Sequence, residues 1–154
     1  MVQFRHDENV NYALYSPEDK AWAAGFIDGD GMISFFRRVE SGRCDEFFVK
    51  VSAVNTCKDP LEKLQLMFGG SINQMHSKEK HSRWADSWCW SVTHRNAERV
   101  IRALSSYLIA KHSQAILALS ARELVGDRHK RRDKPTLMKL AEIETQFREL
   151  NRKG

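Results

Sequence analysis

Two aspartates separated by a single glycine, Asp28 and Asp30 in the stretch AAGFIDGDGMISFF (residues 23–36), are the residues whose types and spacing most plainly suggest chemistry. They do not form a calcium loop of the D-x-[DN]-x-[DN]-G-x5-E kind. Counted from Asp28, the fifth and sixth positions are Met32 and Ile33, where that loop needs an oxygen ligand and a glycine. A turn that ends a helix is the plain alternative. Yet a helix C-terminus carries negative partial charge, so two carboxylates placed there oppose it. A hard divalent cation, held by one or two carboxylates together with carbonyls, waters and phosphate oxygens, removes that conflict. Other ligand types are scattered: the histidines show no metal spacing, and Cys44, Cys57 and Cys89 form neither a CxxC pair nor a disulfide framework.

The elements that must position the aspartates can be read on either side of them. Ser16 followed by Pro17, Glu18 and Asp19 is an N-cap, a proline at the first helical position and an acidic first turn, so a helix starts there and Gly29 or Gly31 ends it. Ala21, Ala24, Gly25 and Asp28 fall three or four apart on one face of that helix, a small-residue face that permits close approach of another helix. Trp22 and Phe26 fall on another face, expected to bury in the core. From Met32 the period changes to two, which predicts a hairpin around Ser41-Gly42, with Ile33, Phe35, Phe47, Val49, Val51 and Ala53 on its buried face. Asp59-Pro60 opens a short helix closed by Gly69-Gly70, and a second strand pair follows over residues 71–76 and 84–93. Helices are then expected over about 96–108, 112–124 and 135–151. Hairpins separated by helices imply a single α+β domain over 1–154 with its core at about 16–125: an α-β-β-α-β-β-α order plus C-terminal helices, and an antiparallel or mixed sheet covered by helices on one face.

Such a sheet leaves its second face open. The alternation assigns Ser34, Phe36, Arg38, Glu40, Lys50, Ser52, Gln74 and His76 to it, a polar, basic and aromatic mixture. Antiparallel sheets commonly face water on one side, and a β-ribbon surface also fits a DNA major groove. Trp88 and Trp90, two residues apart on one strand, read as sheet packing rather than base stacking.

AAGFIDGDG at 23–31 closely resembles the nine-residue signature of the LAGLIDADG homing endonucleases. FFVKVSAVNT, DPLEKLQLMFGG, YLIAKHSQAILAL and KPTLMKLAEIETQFRELN resemble successive elements of the single-motif members encoded in group I introns. The resemblance implies the LAGLIDADG fold and a magnesium-dependent endonuclease that cuts double-stranded DNA at a long, near-palindromic target to promote intron homing. It makes Asp30 the metal-binding carboxylate, with a neighbouring carbonyl from Gly29. Lys111 becomes the basic group near the scissile phosphate, Asn55 a residue that orients solvent, and Lys58 a second basic group; His112 is a further candidate. It also implies a homodimer paired through Ala21, Ala24, Gly25 and Asp28, with the open sheet face of each copy on one half-site. An intron RNA maturase and a cleavage-inactive DNA-binding regulator share this fold and are the alternative readings. Ala23 departs from the usual leucine of the signature, and Phe36 and Glu40 are unusual on a DNA-facing strand.

Composition agrees with a folded protein that meets a polyanion: 154 residues, a formal net charge of +5, and charges of both signs. No apolar run approaches the roughly 20 residues of a membrane span. The opening MVQFRHDENVNY has no apolar h-region and carries Asp7 and Glu8, so a signal or transit peptide is not expected. The expected location is intracellular, in a chloroplast or mitochondrion if the gene is organellar.

Overall fold

Ser16 opens the first helix by accepting a hydrogen bond from the Asp19 amide at 3.1 Å, and Pro17 occupies the first turn, where no amide donor is needed. The computed structural model describes residues 15–39, 42, 45–76, 85–126 and 131–152. Within them the chain runs α1 (Pro17–Asp30), β1 (Gly31–Arg38), β2 (Glu46–Asn55), α2 (Asp59–Phe68), β3 (Ser71–His76), β4 (Ser87–Thr93), α3 (His94–Leu104), α4 (His112–Val125) and α5 (Lys134–Arg152). The hairpin turn at Ser41, the loop over 77–83, Trp84 and residues 127–130 of the basic stretch lie outside the described residues.

The four strands form one antiparallel sheet in the order β1-β2-β4-β3. The registers Ile33↔Val51, Phe35↔Val49 and Ala53↔Trp90 put Ile33, Phe35, Phe47, Val49, Val51, Ala53, Trp90 and Val92 on one face, and all are buried. All five helices contact this sheet or one another, with α1 against α3 and the β1–β2 hairpin, and α5 against β1 and α4. Helix α5 contributes Leu140, Ile143 and Phe147 to the core, and the Phe147 ring lies 6.1 Å from that of Phe35. Near its end, Asn151 donates to the Ile33 carbonyl at 3.2 Å. That contact occupies one acceptor on the outer side of β1, an edge strand whose unpaired groups would otherwise invite another strand.

Trp90 is fully buried, and its indole N–H donates to the Gly69 carbonyl at 2.8 Å, so α2 is closed against the sheet through a core side chain. Gly70 has φ +90°, and a Cβ there would sit 2.5 Å from the Ser91 carbonyl oxygen; this turn requires glycine. Gly31 is constrained differently. A Cβ on it would lie 2.7 Å from the Ile27 Cα, because β1 leaves α1 folded tightly back over the last turn.

The expected α3 ended at Leu108, but the helix ends at Leu104. Leu108 stays buried in the connection that follows, so its apolar spacing outlasts the helix.

Candidate active site at the end of the first helix

Helix α1 continues through Gly29 and delivers Asp30 at its last position, with no basic residue in the final turn. Asp30 is exposed. Its Oδ2 accepts a hydrogen bond from Asn55 Nδ2 at 2.7 Å, and Asn55 Oδ1 accepts in turn from the Cys57 amide at 2.7 Å. Asn55 ends β2, in register next to Trp88, and its amide is therefore fixed at both ends. An amide donor orients the Asp30 carboxylate without neutralising it.

Asp28, two residues earlier, is held quite differently. One carboxylate oxygen accepts from the Ile109 amide at 2.7 Å and the other from the Lys111 amide at 2.9 Å, while the Asp28 main-chain carbonyl accepts from Lys111 Nζ at 2.7 Å. Lys111 is the N-cap of α4, so Asp28 meets the positive end of one helix while standing at the negative end of another. Its carboxylate therefore faces the chain's own α3–α4 connection. Sequence reasoning missed Ile109 altogether. Its contribution is a backbone amide 81 positions from its partner, and no local pattern marks it.

Lys58 Nζ lies 3.1 Å from Glu62 Oε1, a half-exposed pair of adjacent helical turns. His112 is exposed, and its Nδ1 donates to the Ser105 carbonyl at 3.0 Å. Ala24 is fully buried in the core beside Ala23 and Ile27, which removes it from any pairing face; the exposed small residues of α1 are Ala21, Gly25 and Gly29. Trp22 and Phe26 are half-buried and stacked on each other at 5.7 Å, with Lys63 Nζ 4.2 Å above the Trp22 ring.

On the uncovered face, the register sets Ser34 opposite Lys50, Phe36 opposite Phe48, and Arg38 opposite Glu46. The Phe36 and Phe48 rings stack at 5.5 Å, and the Arg38 guanidinium lies 5.4 Å from the Phe48 centroid. Ser34 and Ser52 share this face but are buried, being short side chains flanked by longer ones such as Met32, Phe36 and Lys50. Gln74 is not on this face. It pairs with Trp88 in the row that carries Ile72 and Trp90, so it lies on the helix side of the sheet, where it is exposed; Asn73, opposite Cys89, takes the open side. A register shift follows between Gln74 and His76, which breaks the alternation. The His76 side chain and Glu40 lie outside the described residues.

Whether the site suits a divalent cation can be asked of its donors. Among the described residues no cluster of three or more His, Cys, Asp or Glu side chains exists, so a cage made wholly of protein is absent. An exposed carboxylate bound by a single amide, in the last helical turn where carbonyls lack intrahelical partners, fits a cation that completes its shell with water and phosphate oxygens. The Asp30 carboxylate and the Gly29 carbonyl are the groups placed to offer such donors.

No family model matches the sequence, and no curated protein matches it either. Solved structures do. The homing endonuclease I-CvuI, in complex with its target, superposes with a TM-score of 0.72 at 21% identity over 86% of this chain and 83% of its own. The archaeal intron-encoded homing endonuclease I-Vdi141I, complexed with DNA, gives 0.70 at 13% identity over 86% and 84%. The LAGLIDADG homing endonuclease I-SmaMI, bound to cleaved DNA, gives 0.65 at 20% identity over 81% of this chain and 42% of that one.

The chain has the LAGLIDADG homing endonuclease fold. In that frame the LAGLIDADG-like stretch is the second part of α1 and its exit into β1, with Asp30 at the junction.

Proposed function

We propose that this chain is a site-specific DNA endonuclease that works as a homodimer on a long, near-palindromic duplex target, promotes intron homing, and depends on magnesium or a similar divalent cation. One observation carries the reading. Of the two carboxylates at the end of α1, Asp28 is fully engaged by its own chain, where its carbonyl also holds the Lys111 ammonium, whereas Asp30, two positions on, is exposed and oriented by Asn55.

The homodimer is supported by the glycines of α1. Gly25 and Gly29 lie inside a helix, where each glycine costs about 1 kcal/mol relative to alanine. A Cβ on either would meet nothing within 4 Å in this chain, and neither has positive φ. The protomer itself does not need them. Ala21, Gly25 and Gly29, spaced four apart, suit a second α1 packed close across a two-fold axis, which brings two Asp30 carboxylates together, one for each strand of a duplex.

In the reaction, Asn55 fixes the orientation of the Asp30 carboxylate, and Asp30 with the Gly29 carbonyl would hold the cation. A bound divalent ion supplies Lewis-acid stabilisation of the phosphate and a more acidic water. Lys111 keeps two ammonium protons beyond the one given to Asp28, and they can meet the charge that builds on phosphorus. Phe36, Arg38, Phe48 and Lys50 line the groove-facing surface, where Arg38 and Lys50 contact phosphate or guanine and the rings contact thymine methyls.

The test is incubation with a randomised duplex library and magnesium, sequencing of the new ends, and the same assay with Asp30→Asn. Staggered ends at one near-palindromic sequence are expected, with cutting at least about 100-fold slower in the variant and duplex binding retained. Unchanged cutting by Asp30→Asn would overturn the assignment. Retention of duplexes without cutting would turn the reading into that of a regulator.

A further inference from the structure

We infer that Asp28 is a positioning residue that fixes Lys111, backbone and ammonium, at the end of α1 two positions from Asp30; its role in catalysis rests on the endonuclease reading above. Lysine is a poor candidate for precise placement, since its four-carbon stem has many rotamers. Here the problem is solved from two directions. The Asp28 carboxylate takes the amides of Ile109 and Lys111 and so fixes the start of the lysine's own backbone, and the Asp28 carbonyl takes the ammonium. Backbone and tip of Lys111 are thus both referenced to a residue two positions from Asp30.

The alternatives for Asp28 are poorer. As a second cation ligand it would have to give up two short charge-assisted hydrogen bonds, and as an interface residue it would have to turn away from α4. Lys111 cannot cap α4 itself, because an ammonium accepts no hydrogen bond, and no side chain of the N-cap residue does so. The carboxylate does this from another element. Its charge is also favoured there, since the α4 N-terminus offsets the unfavourable end of α1.

Asp28→Asn keeps the size of the side chain but leaves one oxygen for two amide donors. Four proteins decide the matter: wild type, Asp28→Asn, Lys111→Ala and the double variant. With the Asn variant, acylation of the Lys111 amine by acetic anhydride, followed by mass spectrometry, is expected to quicken severalfold. Hydrogen exchange at the Ile109 and Lys111 amides should quicken with it. Unchanged acylation and exchange would overturn the inference whether or not any duplex is cut.

On a cleavable duplex, single-turnover cutting by Asp28→Asn should fall about tenfold or more, with Kd for the duplex little changed. The double variant should then cut no more slowly than Lys111→Ala alone. Additive losses, or a loss confined to Kd, would show that Asp28 acts elsewhere. A wild type that cuts nothing, while acylation still responds to Asp28→Asn, would sink the endonuclease reading and leave the positioning of Lys111 in place.

Discussion

The two faces of the sheet are built from alternate residues of the same strands, yet they answer to different demands. On the helix side, Phe35, Phe47, Val49, Val51 and Trp90 are buried, and their rings and branches interlock with the helices. On the open side, Phe36 pairs with Phe48 and Ser34 with Lys50, Arg38 lies over the Phe48 ring, and His94 at the start of α3 packs against Phe48 from the far edge. A single-residue slip of register would exchange the two faces, so the core that fixes the fold also fixes which side chains a partner meets. Stability and recognition are thereby separable by substitution even though they share a backbone.

That separation can be broken from either side. The largest effect belongs to Trp90→Ala, which removes a fully buried ring and leaves the Gly69 carbonyl without its donor. A loss of about 3–5 kcal/mol is expected in urea unfolding, with duplex affinity unchanged under conditions where the variant remains folded. Next comes the pair Arg38→Ala and Lys50→Ala on the opposite face. Stability should stay within about 1 kcal/mol, while the slope of log K against log salt for duplex binding falls by about one per phosphate contact removed. A collapse in stability, or an unchanged salt slope, would refute the division between the faces.

The smallest effect lies away from both faces, between α3 and α4. Burial pushes the Glu98 carboxyl up, but hydrogen bonds and charge from Arg122 and Arg102 outweigh it and hold the group below its ordinary value of 4.5. A carboxyl depressed in the folded state contributes stability that is present above the unfolded value and lost as pH falls through the folded one. Stability should therefore decline on acidification below about pH 4.5, and Glu98→Gln should flatten that decline by no more than about 1 kcal/mol. An unaltered acid profile in the variant would remove Glu98 from the account.

Local signals made much of this legible. Ser16-Pro17 located the start of α1 because a cap and its partner are three residues apart. The alternation from Ile33 to Ala53 located the buried face because a strand has a period of two. Gly29 was legible as a possible helix end, but the choice between it and Gly31 depended on how closely β1 returns over Ile27. Ala24 was misassigned because a small apolar residue suits a core as well as a helix pair. Gln74 was misassigned because two strands must be in register before parity names a face, and the irregularity after it leaves no mark in the sequence. Asp28 was the hardest of all. Its partners are a loop's amides more than 80 positions away, and backbone donors carry no residue type to read.

That distance between Asp28 and Lys111 also bears on the order in which the molecule comes into being. They are 83 positions apart, so at about 5–20 residues per second a ribosome releases the lysine on the order of ten seconds after the aspartates. During that interval the Asp28 carboxylate is solvated, with neither the Ile109 nor the Lys111 amide there to meet it. Closing so long a loop adds little entropic cost beyond that of a shorter one, yet it cannot occur before the start of α4 exists. A nascent chain therefore carries Asp28 and Asp30 before Lys111 exists, and the contacts that fix Asp28 form only once the start of α4 has been made.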